Sequence, residues 1–190
     1  MRLSNNENSI HVFWDLDGVI FKYERSAYVG DNPPYAMPGY FKNRELDQRA
    51  YLILEMMRDN CHIDGMHILS RGATRLNPQQ RRCVIADKRF NVANDIPWMQ
   101  SKDVIITERS KVDEAVHFLG RQLSVNDILI DDFNENLKLW VAAGGSAIKY
   151  LNGLNSMDTY SGPKIVGMSL IDIPEEHADL YAKILRGDKS

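Results

Sequence analysis

The sequence is poor in cysteine, has no long apolar run, carries no strong excess of either charge and contains no repeat. Cys61 and Cys83 are its only two cysteines, and they form no C-x-x-C spacing. This excludes a disulfide scaffold and a cysteine-based zinc site, and it fits reduced thiols in a cytoplasmic protein. No stretch approaches the roughly 18 uninterrupted apolar residues of a membrane span. Met1 to Asn8 is polar and lacks the apolar core of a secretory signal. A net charge of −3 over 190 residues argues against a generally basic nucleic-acid binder. Five histidines (His11, His62, His67, His117 and His177) show no paired metal-ligand spacing. What remains is an ordinary globular composition, in a chain long enough for one domain with a sizeable core.

Strand and helix signals alternate along that chain. Val12–Asp15, Met66–Leu69, Asp103–Ile106, Ile128–Ile130, Ser146–Lys149 and Ile165–Met168 read as short strands. Helices are expected over Glu45–Arg58, from the Asn77-Pro78 cap to about Lys88, and over Ser110–Leu119, Asn134–Ala143 and Pro174–Leu185. Met56, Met57 and Trp140 lie at helical spacing with other apolar residues and read as core. The pattern predicts an α/β fold, a Rossmann-like parallel sheet with helices on both faces. The whole chain, 1–190, reads as a single domain. Residues 19–44 are the one candidate for a small cap or flap insertion, and they hold six of the seventeen aromatics.

The stretch His11-Val12-Phe13-Trp14-Asp15-Leu16-Asp17-Gly18 is the most informative. An apolar strand ends in two carboxylates one residue apart, at the sheet edge where open α/β folds place their chemistry. Two acids so close suit a bound cation, or a division of labour between an attacking acid and a proton-transferring one. Later strands run into Ser70-Arg71-Gly72, toward Lys111, and into Asp131-Asp132. In a parallel sheet these ends share one edge, so an acidic pair, a hydroxyl, an amine and a second acidic pair converge on one cleft.

Asp15-Leu16-Asp17-Gly18, Ser70, Lys111 and Asp131-Asp132, in that order, resemble the four motifs of the haloacid-dehalogenase-like (HAD) superfamily of phosphohydrolases. The resemblance covers residues 11 to about 150 and rests on the ordered set, since each motif alone is weak. It implies that Asp15 attacks phosphorus, that Asp17 is the general acid and base, that Ser70 binds a phosphoryl oxygen, and that Lys111 offsets charge on Asp15. It further implies Mg²⁺ held by Asp15, Asp131, Asp132 and the backbone carbonyl of Asp17, with one of the last acidic pair ligating directly. Lys102 is the rival for the lysine role, but it precedes the third strand and belongs at the other end. An acid at position 17 favours phosphate-ester chemistry over the dehalogenase and phosphonatase branches.

Met37-Pro38-Gly39-Tyr40-Phe41-Lys42-Asn43 and Ile128–Gly145 look like the 5′(3′)-deoxyribonucleotidase branch. That likeness implies a nucleoside monophosphate substrate, bound by Ser70 and Arg71 and stacked on Phe21 and Tyr40. Arg71 departs from the branch pattern. The basic run Arg71, Arg75, Arg81, Arg82, Lys88 and Arg89 reads first as a solvated helix face, and second as a surface that steers a nucleic-acid end. The alternatives are therefore a polynucleotide 3′-phosphatase or a sugar-phosphate phosphatase. Outside enzymes, the alternative is a module that binds a phosphorylated ligand without turnover.

Overall fold

The computed structural model describes residues 9–22, 39–42, 44–59, 62–72, 76–153, 159–173, 175 and 178–186. The elements run β1 (His11–Trp14), α1 (Gln48–Arg58), β2 (Gly65–Arg71), α2 (Pro78–Asp95), β3 (Val104–Thr107), α3 (Lys111–Leu119) and β4 (Asp127–Asp131). Then follow α4 (Asn134–Ala142), β5 (Ser146–Tyr150), β6 (Lys164–Val166), β7 (Ser169–Ile171) and α5 (Ala178–Arg186). Most of the proposed insertion, 23–38, lies outside the described residues.

The sheet order is β3-β2-β1-β4-β5-β6-β7. Every neighbouring pair from β3 to β6 is parallel, and only β7 runs antiparallel, beside β6. The expected Ile165–Met168 strand is thus the first half of a hairpin. Gly167 turns it with φ 60°, a left-handed conformation suited to tight hairpin turns. Helix α2 also runs one to two turns beyond the expected end at Lys88.

Alternation along the strands explains the two layers of helices. Val12 and Trp14 of β1, with Ile128 and Ile130 of β4, pack on one face against Leu54 and Met57 of α1, Val92 of α2 and Ile184 of α5. Phe13 and Leu129, one residue out of phase, pack on the other face against Ala115 of α3 and Leu137 and Trp140 of α4. A sheet covered on both sides needs apolar residues at successive positions, which is why its central strands read as continuous runs. In α1 the buried face is Ala50, Ile53, Leu54 and Met57. Met56 falls off that stripe and is 62% exposed, so it is not core as expected.

The strand order reverses at β1. From there the chain builds outward through β2 to β3, then returns to lay β4 on the opposite side. That is a topological switch point, where the two diverging loops leave a crevice beyond the carboxyl ends of β1 and β4.

Candidate active site

Asp15 and Asp131 end adjacent strands at this crevice. Trp14 pairs with Ile130, and the Asp15 amide donates to the Ile130 carbonyl at 2.9 Å, so the acids after both strands are brought together. Asp15, Asp131 and Asp132 are all buried, and one oxygen from each lies within 4.8 Å of the others. Hard carboxylate oxygens grouped in this way fit a divalent cation such as Mg²⁺. The Asp17 carboxylate is not in the group; its side chain turns toward Ser70.

Lys111, at the start of α3, lies between two of the acids. Its Nζ is 2.7 Å from Asp15 Oδ1 and 2.6 Å from Asp131 Oδ2. Ser110 caps α3 by accepting from the Asp113 amide at 3.0 Å, which fixes where the helix, and so Lys111, begins. Lys102 sits in the short turn before β3, at the amino end of the sheet and away from this edge. Burial pushes the Asp15 carboxyl up to about 8; Lys111 opposes this, and the charges of Asp131, Asp132 and Asp17 add to it. For Lys111, burial lowers the ammonium, but Asp131 and Asp15 outweigh it and push the group up to about 12. The physical content is one of crowding: a single ammonium does not neutralise the acids around Asp15, and a dication would complete the balance.

Asp131 accepts three hydrogen bonds, which leaves an acceptor site for a cation. Besides Lys111 it accepts from the Phe133 amide at 2.7 Å and from Asn136 Nδ2 at 2.9 Å. Asn152 Nδ2 reaches Asp132 Oδ2 at 2.6 Å and the Gly18 carbonyl at 2.9 Å, pinning the Asp17 turn to the acidic pair. Lys149, fully buried at the end of β5, donates to the Asp132 carbonyl and to Asn134 Oδ1. Gly18 is required twice over. Its φ is 83°, and a Cβ there would stand 2.4 Å from Asp132 Oδ2.

Ser70 is buried at the end of β2, and its Oγ donates to Asp17 Oδ2 at 3.2 Å. Arg71 beside it has an exposed side chain, with its carbonyl turned inward to accept from Lys88 Nζ at 2.7 Å. Two expectations fail here. Phe21 is 1% exposed within the apolar core, bridged to Asp17 and Leu46, so its ring has no free face for a base. Lys88 is not part of a solvated face; it is 2% exposed and bonded to Asp17 and Ser70. Tyr40 is half-buried beside Phe41, with the Arg44 guanidinium 3.8 Å from its ring centroid.

The rest of the basic run is less available than its composition implies. Arg81 pairs with Glu108, and Arg89 donates to the Ser101 carbonyl. Arg75 lies outside the described residues. An aromatic that the sequence reading passed over is Phe133, directly after the acidic pair and 51% exposed. Lys88 also had a legible signal: at four-residue spacing it falls between Val84 and Val92, both buried, in the inward stripe of α2.

No family model matches the sequence, and no curated protein matches it. Solved structures do. One, from Mesorhizobium loti and assigned as a HAD-like phosphatase, aligns over 96% of this chain and 89% of its own, at 11% identity and a TM-score of 0.54. Another, a HAD-superfamily hydrolase from Ehrlichia chaffeensis, aligns over 94% of this chain and 97% of its own, at 14% identity and a TM-score of 0.51. Together with the sheet order and the crevice beyond β1 and β4, these likenesses establish that the chain has a HAD-like α/β fold.

Proposed function

We propose that this chain is a Mg²⁺-dependent phosphomonoester hydrolase working through an aspartyl-phosphate on Asp15. The observation that carries the reading is Lys111 held between Asp15 and Asp131 at the switch point, beside Asp132, with Asp17 set apart on Ser70. Asp15 is paired to Lys111 inside the acidic group, whereas Asp17 stands outside that group, bonded to Ser70 and Lys88. Such a division suits a nucleophile and a proton-transferring group.

An Asp15 oxygen attacks phosphorus as the ester P–O bond breaks. Asp17 gives a proton to the departing oxygen. Asp17 then takes a proton from water, whose oxygen attacks phosphorus, frees Asp15 and releases phosphate. Ser70 hydrogen-bonds a phosphoryl oxygen, and Lys111 offsets charge on Asp15 and the phosphoryl group. A Mg²⁺ ion held by Asp15, Asp131 and Asp132 would supply further neutralisation of the phosphoryl oxygens. We take the substrate to be a nucleoside monophosphate, on the likeness of 37–43 and 128–145 to deoxyribonucleotidases and on the exposed ring of Phe133. A free, exposed Cys83 thiol favours a reducing compartment such as the cytoplasm.

The test is phosphate release from p-nitrophenyl phosphate, nucleoside monophosphates, sugar phosphates and 3′-phosphorylated oligonucleotides, with and without Mg²⁺. Release that needs Mg²⁺ and falls at least roughly a thousandfold in Asp15→Asn, the scale of losing a nucleophile, supports the reading. No release from any ester overturns it in favour of a phospho-ligand binder. Preference for the oligonucleotide, falling steeply with salt, replaces the nucleotide with a nucleic-acid end.

A further inference from the structure

Lys88 is a buried cation in the middle of α2 for which the steps above have no use. A buried ammonium is tolerated where its N–H groups meet acceptors and its charge meets a partner. Lys88 Nζ donates to Ser70 Oγ at 3.0 Å, to the Arg71 carbonyl at 2.7 Å and to the Asp17 carboxylate. Those three bonds use all its donors. Ser70 Oγ donates in turn to the same Asp17 oxygen. The arrangement is a closed triangle in which the ammonium fixes both the acid and the hydroxyl.

The triangle also reaches the stem of the insertion. The Phe41 ring centroid lies 4.6 Å from Lys88 Nζ, and Asn91, one turn further along α2, donates to the Phe41 carbonyl. Phe41 packs with Leu76 and Val84 in a small separate cluster. Lys88 therefore joins the end of β2, the turn after β1, helix α2 and the stem at Phe41.

We propose that Lys88 is a positioning residue that holds the Asp17 carboxylate and the Ser70 hydroxyl in register with each other for phosphoryl transfer. The inference rests on the hydrolase reading above. A carboxylate on the turn after β1 has the like charge of Asp15 nearby, which repels it. Its side chain is 23% exposed, so water is open to it. Lys88 holds it against that repulsion. General acid catalysis depends on placement, so a misplaced Asp17 fails first on esters whose leaving oxygen most needs a proton.

The test compares kcat/KM of wild type and Lys88→Met across monoesters with progressively poorer leaving groups. That parameter reports the steps up to P–O cleavage. Met keeps the length and the apolar stem of the side chain. We expect a loss of roughly 10²-fold on an alkyl phosphate, within the range of a general acid's contribution, and less than about threefold on dinitrophenyl phosphate. An equal loss on every ester means that Lys88 only supports the fold and overturns the proposal, as does no loss at all. If Lys88→Met does not fold, Lys88→Gln keeps two donors without the charge, and the same slope against leaving group is expected. A crystal structure of the variant gives a readout that needs no turnover. The proposal requires Asp17 to leave Ser70, and an intact 3.2 Å contact overturns it. A wild-type protein inactive on all esters instead sinks the hydrolase reading, and the two failures are told apart.

Discussion

At the scale of single residues, aromatic character does not tell where a ring is. Phe21 and Phe133 have the same side chain, yet one is 1% and the other 51% exposed. Phe21→Ala removes a packed core ring, at a cost of about 3–5 kcal/mol. For a chain of this size that lowers Tm by roughly 6–20 °C. Its effect on kcat/KM should be parallel for a nucleoside monophosphate and for p-nitrophenyl phosphate. Phe133→Ala should barely move Tm, and should reduce kcat/KM for the nucleotide selectively, by roughly five- to a hundredfold if the ring stacks on a base. Equal losses on both substrates remove Phe133 from substrate binding. Gly18→Ala faces both a left-handed backbone and a Cβ 2.4 Å from Asp132 Oδ2. The backbone alone costs about 1–2 kcal/mol, and the clash displaces a carboxylate of the acidic group. We expect a lower Tm together with a weakened stabilisation by Mg²⁺; a lower Tm with unchanged Mg²⁺ response would separate the turn from the metal group.

At the scale of elements, the amino ends of the central strands carry a polar cluster remote from the chemistry. His11 Nδ1 and His67 Nε2 are 3.1 Å apart across β1 and β2, and His67 Nδ1 is 3.0 Å from Asp103 Oδ1. The carboxylate can only accept, so His67 donates through Nδ1 and accepts from His11 through Nε2. Burial disfavours the imidazolium of His11 and lowers its pKa. His67 is lowered to about 3, by burial first and then by His11 and Lys102. In the unfolded chain both rings take up a proton near pH 6.5. Between those values the unfolded state binds more protons, so stability is fully present above pH 6.5 and is lost as pH falls toward 3. His67 alone makes this about 3 kcal/mol by pH 4. Thermal melts from pH 7.5 to 4.5 should show the decline, with a shallower slope in His67→Gln. An unchanged slope in that variant assigns the acid sensitivity to other groups.

At the scale of the whole molecule, only the folded chain brings Asp15 together with Asp131 and Asp132, which follow it by 116 and 117 positions in the sequence. Mg²⁺ should therefore stabilise the fold by linkage. At tenfold over Kd the gain is about 1.4 kcal/mol, a Tm rise of roughly 3–6 °C. The rise should vanish in the Asp131→Ala, Asp132→Ala double variant. An equal rise in that variant means that the ion binds elsewhere.

The sequence by itself determined the alternation of elements, the two-faced sheet and the placing of Asp15, Asp17, Ser70, Lys111, Asp131 and Asp132 at strand ends or helix starts. These follow from local causes: apolar runs, caps at Asn77 and Ser110, and the rule that parallel strands share one carboxyl edge. Tertiary structure decided which of the polar side chains touch. The place of Lys88 in the inward stripe of α2 signals its burial but not its partners, which lie 71 positions away at Asp17 and 18 away at Ser70. The placing of α2 beside β3 and the carboxyl end of β2 brings those partners to it. For the same reason, the burial of Phe21 and the exposure of Phe133 are not legible in the sequence. A turn bridged to Leu46 buries the first ring, and the start of α4 leaves the second in water. Local pattern encodes what a segment becomes; burial and charge pairing belong to surfaces that meet only after the chain has folded.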